Sequence, residues 1–215
     1  MDDNKNMKKM PVILDTDIGG DIDDTWALAQ MLRCPELDCR MISIVGGDTQ
    51  YKALVVAKFL EIAGRTDIPI VLGYGNTNAK DKYQEPWVAD YSRSDYNGVI
   101  ADNGIDEMCR LLTESEGMTV ISIGITTNIA AVIDRIGDNI TKHKFVGMQG
   151  SIYKGHNGKE GAIPESNVRK DIEAFRKVVK APWRDILLTP LDTCGDIYLS
   201  GENYQKFFRS DDVFA

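Results

Sequence analysis

The sequence predicts an α/β fold, an open and mostly parallel sheet flanked by helices. Short apolar runs of strand type alternate with longer segments of helical period almost from end to end, and such strands pair in parallel through helical crossovers. The loops that follow the strands, "DTDIGGDIDD", "GGDT", "GITTN" and "GSIYKGHNG", are rich in acids, Gly and Asn. In sheets of this kind ligands gather outside the carboxyl ends of the strands, where these four loops would share one rim. With 215 residues, 43% of them hydrophobic and 27% charged, the chain can build one sizeable core.

The elements follow in order. Residues 1–10 are polar and read as a disordered N-terminal tail, and a single domain is expected over residues 11–215. "PVILD" (11–15) is a first strand and "DDTWALAQMLR" (23–33) a helix whose opening acids suit the N-terminal dipole. "RMISIVG" (40–46) is a second strand, "YKALVVAKFLEIAG" (51–64) a helix stopped by Gly64, and "IPIVLG" (68–73) a third strand. From Tyr74 to about Gly104 periodicity is lost among Asn, Asp, Tyr, Lys and Gly, which predicts a long surface loop bordering a site. A helix near 105–115, the strand "MTVISIG" (118–124), a helix from about Asn128 and the strand "KFVGMQG" (144–150) come next. A Gly-rich loop, a helix near 171–180 and "DILLTP" (185–190) complete the pattern.

Composition excludes several function classes. A formal net charge of -8, with no Lys/Arg run beyond "NMKKM", argues against a nucleic-acid partner. No apolar stretch approaches the ~18 residues of a membrane helix. The four cysteines lack CxxC spacing, and the first residues carry no apolar h-region, so reduced thiols in a cytoplasmic protein are expected.

Five aspartates, Asp15, Asp17, Asp21, Asp23 and Asp24, fall within ten residues at the end of the first strand. Like charges this close repel unless a cation, a proton or hydrogen-bond donors compensate them. An oxygen-rich cluster without nearby His or Cys suits a hard divalent cation rather than zinc or a redox metal. A structural reading accounts for part of the cluster, with Asp23 and Asp24 as first-turn acids and Asp21 or Asp23 as N-cap. Asp48 and Asn167 likewise precede helices as N-caps would. His143, in "TKHKF" before a strand, is expected to be exposed, whereas His156 in the Gly-rich loop could donate a proton at the rim.

"VILDTDIGGDIDDTWAL" resembles the N-terminal signature of the inosine-uridine preferring nucleoside hydrolase family, an apolar strand followed by DTDxGxDD and a helix. "ISIVGGD", "GITTNIA" and "PESNVRKDIEA" resemble later segments of that family in the same order. The resemblance implies a nucleoside-hydrolase-like sheet, one bound Ca²⁺ and hydrolysis of the N-glycosidic bond of ribonucleosides, small molecules split into ribose and base. It implies that Asp17 ligates calcium and takes the proton of the attacking water, with Asp24 and the backbone carbonyl of Ile123 as further ligands. Asp23, Asp48, Asn157, Glu165 and Asn167 fall where the family holds the ribose hydroxyls, Asp48 replacing an asparagine.

Three departures accompany the resemblance. "IGGDIDD" is about two residues longer than the common form, so Asp21 has no counterpart and could be an extra ligand. The usual histidine after the third strand is absent, and Trp87, Tyr91 or Tyr96 are candidates for base stacking. The family's C-terminal part, with a His-Asp-Pro segment that completes the calcium shell, has no match here, and weaker metal binding is expected. Self-association is also expected. Two other readings compete: a phosphatase of the haloacid dehalogenase type, with Asp15 and Asp17 as nucleophile and acid, and a non-catalytic nucleoside-binding or oligomerising domain.

Overall fold

The computed structural model describes residues 9–212. Seven strands, β1 (Met10–Thr16), β2 (Leu37–Ile44), β3 (Ile70–Leu72), β4 (Ile100–Ala101), β5 (Thr119–Ser122), β6 (Lys144–Gly147) and β7 (Asp185–Leu188), form one sheet in the order β4-β3-β2-β1-β5-β6-β7. Every neighbouring pair is parallel. The chain builds outward from β1 to β4, then returns to lay β5 on the other side of β1. The order therefore reverses between β1 and β5, and the crevice beyond their carboxyl ends is the topological switch point where such sheets bind ligands.

Helices cover both faces. Residues of α1 (Asp23–Arg33), α2 (Thr49–Ile62) and the short α3 (Glu85–Val88) pack with Val12, Leu14, Ile42, Ile44, Ile70 and Leu72. Residues of α4 (Gly104–Glu114) and α5 (Thr127–Ile136) pack with Ile13, Met41, Val71, Val120 and Phe145 on the opposite face. A one-turn α6 (Ser166–Lys170) leads into α7 (Ile172–Lys180), whose Val178 joins this second core, and α8 (Leu191–Cys194) and α9 (Gly201–Phe208) follow β7. Val12, Ile13 and Leu14 alternate between the two cores, as a strand covered on both faces must.

The ladder between β1 and β2 slips once: Val12 pairs with Cys39 and Ile13 with Met41, leaving Arg40 unmatched. This bulge lets Cys39 face one core and Met41 the other although they lie two residues apart.

Several boundaries differ from expectation. Met10 pairs with Leu37 and its N–H donates to the Glu36 carbonyl at 2.7 Å, so the sheet claims the last residue assigned to the tail. Residues 1–8 of that tail, and the last three of the expected domain, lie outside the described residues. The stretch 74–104 is less irregular than its composition suggests: it contains α3, a 3-10 turn at Arg93–Asp95 and β4, and it buries Val88 and Tyr96. His143 is buried instead of exposed, its Nδ1 accepting from the Met118 N–H at 3.0 Å, and burial pushes its pKa down. At the other edge, β7 leaves Ile186 and Leu187 exposed.

Candidate functional site

The first-strand turn lies at the switch point, and burial divides its five acids. Asp15 is fully buried. Its Oδ1 accepts from the Asn128 amide at 3.0 Å, while no hydrogen bond from the described residues reaches its Oδ2. Burial pushes its pKa up to about 7 against the opposing hydrogen bonds of Ser43 and Asn128. Asp24 is likewise raised to about 7, by burial and then by the charge of Asp17, even though the Thr16 hydroxyl donates to its Oδ1 at 2.5 Å. Asp21 and Asp23 are exposed. Neither caps α1, whose N-cap position is Ile22 with no side-chain bond.

Asp17 is half-buried, and its Oδ2 meets the Lys170 ammonium at 3.2 Å. Gly124, just beyond β5, lets the two strand ends close on each other: a Cβ there would stand 2.8 Å from the Asp17 nitrogen and 3.0 Å from its Oδ1. One residue earlier, the Ile123 carbonyl accepts from the Asn167 amide at 3.0 Å. Asn167 also donates to the Met148 carbonyl at 3.2 Å, so it joins the ends of β5 and β6. Glu165 holds this arrangement through backbone donors, accepting from Gly150 at 2.9 Å, Asn167 at 2.7 Å and Val168 at 3.1 Å. Among the described residues no partner reaches the buried Ser122 Oγ, Thr126 Oγ1 or Gln149 Oε1, which lie at the end of β5 and on the segments that follow β5 and β6.

Asp48 caps α2, its carboxylate accepting from the N–H groups of Gln50 and Tyr51. It also meets Lys82 at 2.7 Å. Burial works to raise its pKa, but the Lys82 ammonium and the backbone donors outweigh burial and hold it below the usual carboxylate range. Lys82 comes from the long segment after β3, and Gln84 of the same segment bonds Thr25 at 3.1 Å and the Asp21 carbonyl at 3.3 Å. The stretch 82–84 thus lies against the rim.

The loop after β6 is different. His156 and Asn157 are exposed, Asn157 has the left-handed φ of 59°, and its Oδ1 accepts from the Tyr198 hydroxyl at 3.0 Å. The loop is pinned by Asp192 of α8, which accepts from the N–H groups of Ile152 at 2.8 Å, Tyr153 at 2.7 Å and Lys154 at 3.1 Å.

Sequence reasoning missed four residues that organise the rim. Lys52 is 1% exposed, and its ammonium donates to the carbonyls of Asp17 and Ile18, the latter at 3.0 Å. Burial lowers its pKa while Asp17, Asp81 and Asp24 oppose that shift. Gly47, with φ +58°, makes the room: a Cβ there would stand 2.7 Å from Lys52 Cε. The helical period was the available signal, since Lys52 shares the face of Val56 and Phe59, both buried. Asn128 and Lys170 lie within the quoted "GITTNIA" and "PESNVRKDIEA" segments, which was their available signal, whereas Asp192 carried none. Asn128 is fully buried, donates to Asp15, Ser43 and the Ile44 carbonyl, and accepts from the Tyr74 N–H at 2.9 Å.

The oxygen donors at the switch point, the Asp17 and Asp24 carboxylates and the Ile123 carbonyl, have the chemistry a hard cation requires. Among the described residues no set of three or more His, Cys, Asp or Glu side chains converges as a metal cage. Two cavities, of about 640 Å³ between α1 and α9 and about 420 Å³ between α2 and the segment after β3, have neither Asp17 nor Asp24 in their linings. No helix among the described residues is long and apolar enough to cross a membrane.

Comparison with known proteins gives a consistent result. Non-specific ribonucleoside hydrolase RihC of Escherichia coli (strain SMS-3-5 / SECEC) is 28% identical over 204 residues, covering 89% of this chain and 64% of that protein. RihC of Shigella sonnei (strain Ss046) is 27% identical over 207 residues with the same coverage. The chain thus spans 64% of the length of these relatives. Among solved structures, the plant nucleoside hydrolase PpNRh1 superposes with a TM-score of 0.79 at 24% identity, covering 95% of this chain and 67% of that one. The inosine-uridine preferring nucleoside hydrolase of Bacillus anthracis gives 0.71 at 19% identity, covering 89% and 68%. At such identities the likeness establishes the fold. Residues 12–213 match the family described as inosine-uridine preferring nucleoside hydrolase, to which this chain belongs.

Proposed function

We propose that this chain carries the calcium-dependent ribonucleoside hydrolase site of its family and splits the N-glycosidic bond into ribose and base. The observation that carries the reading is the meeting of Asp17, Gly124 and the Ile123 segment at the switch point of a sheet whose family hydrolyses nucleosides. The named activity of the RihC relatives supports the same reaction.

The donor set fits the metal. Asp24 is a half-buried carboxylate whose ionisation is opposed by desolvation and by Asp17, and a divalent cation would relieve both. Asp17, Asp24 and the Ile123 carbonyl would hold it. Calcium, when bound, supplies a fixed double charge that orders oxygen ligands and favours ionised carboxylates.

The rest falls to the chain's own groups. The Asp17 carboxylate accepts the proton of the water that attacks the anomeric carbon, as a general base at hydrogen-bond reach does. Asp23, Asp48, Asn157, Glu165 and Asn167 are assigned to the sugar hydroxyls, gripping them as the ring gains oxocarbenium character. His156, exposed at the rim, is assigned to protonate the departing base. For Glu165, Asn167 and Asp48 this assignment requires sharing atoms that now satisfy backbone groups, the ends of β5 and β6, and Lys82.

Ribose release from inosine and uridine, measured as reducing sugar with calcium and with a chelator, tests the reading. Asp17→Asn should reduce turnover by about a hundredfold or more with an unchanged circular dichroism spectrum. Equal turnover in this variant, or in the presence of chelator, would overturn the assignment.

A further inference from the structure

The short helix α6 places Asn167 and Lys170 three residues apart, on one helical face, and both point at atoms assigned above to the metal. Asn167 donates to the Ile123 carbonyl at 3.0 Å, and the Lys170 ammonium stands 3.2 Å from Asp17 Oδ2. Two of the three assigned ligands are therefore already met by donors from a single turn. The Lys170 side chain is 41% exposed and Asp17 only 16%, so the carboxylate is the fixed partner and the lysine the one free to withdraw.

We propose that Lys170 is a built-in competitor for the cation: its ammonium neutralises Asp17 in the metal-free protein, and a divalent ion must displace it to bind. The inference rests on the calcium reading above. The physics is that of two cations sharing one carboxylate. An ammonium and a divalent ion repel each other at a common oxygen, and the stabilisation that Asp17 gains from Lys170 is lost when the metal arrives. Lys52 differs, because its ammonium is buried beneath the turn on the main-chain carbonyls of Asp17 and Ile18. One lysine thus holds the turn in shape whether or not metal is bound, and the other sets how readily metal enters. In this account Lys170 tunes the affinity for the cation and is not a catalytic residue.

Calorimetric titration of Ca²⁺ into the wild-type protein, Lys170→Met, Lys170→Arg and Asp24→Asn tests the proposal, with thermal melting of each metal-free protein as a second readout. Lys170→Met should bind calcium about fivefold more tightly or better, the scale set by losing a partly exposed ion pair. Its metal-free form should melt lower than wild type and recover on adding calcium, while Lys170→Arg keeps the wild-type affinity. Equal or weaker binding by Lys170→Met, with binding lost in Asp24→Asn, would overturn the role of Lys170 and leave the calcium site standing. Absence of binding in all four proteins, or an unchanged affinity in Asp24→Asn, would overturn the calcium site and this proposal with it.

Discussion

At the end of β1, Asp15, Thr16 and Ile18 are sealed from solvent, with Lys52 of α2 holding Ile18, Asn128 of α5 holding Asp15 and Lys170 of α6 reaching Asp17 between them, whereas the loop after β6 leaves His156 and Asn157 exposed and is held by Asp192 from outside. Both segments leave the carboxyl edge of the same sheet. The first is built from charges that burial makes costly and that neighbours must compensate, so Lys52 and Asn128 fix its backbone before any ligand arrives. The second is built from backbone donors around one carboxylate, an arrangement that water can replace. The contrast teaches that a rim can combine a rigid half, suited to chemistry, with an adaptable half, suited to admitting different substrates.

The sharpest way to break this comparison is at Asn128. Asn128→Ala strips partners from Asp15, Ser43, the Ile44 carbonyl and the Tyr74 N–H at once, and should cost about 3 kcal/mol in urea unfolding. A loss as small as that of an exposed substitution would show that the first-strand turn is not the rigid half.

A smaller effect lies at the opposite end of β6, where His143 is buried. Its folded pKa is depressed below the usual 6.5, so as pH falls below about 6.5 the unfolded chain takes up a proton that the folded chain refuses, and stability drops. The raised carboxyls Asp15 and Asp24 act with the opposite sign, losing stability as pH rises toward about 7. Comparing His143→Gln with wild type isolates the histidine: the variant should lose less stability than wild type between pH 6.5 and 5, and parallel curves would count against it.

The smallest global effect is expected at Asp192. Asp192→Ala should leave the melting temperature nearly unchanged while the amides of Ile152, Tyr153 and Lys154 exchange with deuterium at least about tenfold faster. Unaltered exchange would mean that the loop holds itself.

Much of this architecture was legible in the sequence. Strands and long helices announce themselves through period, and the acid cluster marked the switch point because repulsion among carboxylates demands an explanation. What stayed hidden was long-range. Two-residue β4 and one-turn α3 and α6 are too short to show a period, and they exist because tertiary contacts such as those of Val88 and Tyr96 support them. The burial of Lys52 and His143 ran against residue type, and each is explained by acceptors or donors that other segments bring. The haloacid dehalogenase alternative is displaced by the family match, and Asp15, which it would have used as nucleophile, is buried away from solvent.

The bulge at Arg40 has an evolutionary meaning. Cys39 and Met41 already serve opposite layers, as adjacent residues of an uninterrupted ladder would, so Arg40 is a spare link that a descendant could discard without turning either neighbour over. β2 thereby keeps one exposed position at which a change of chain length leaves the two cores in register.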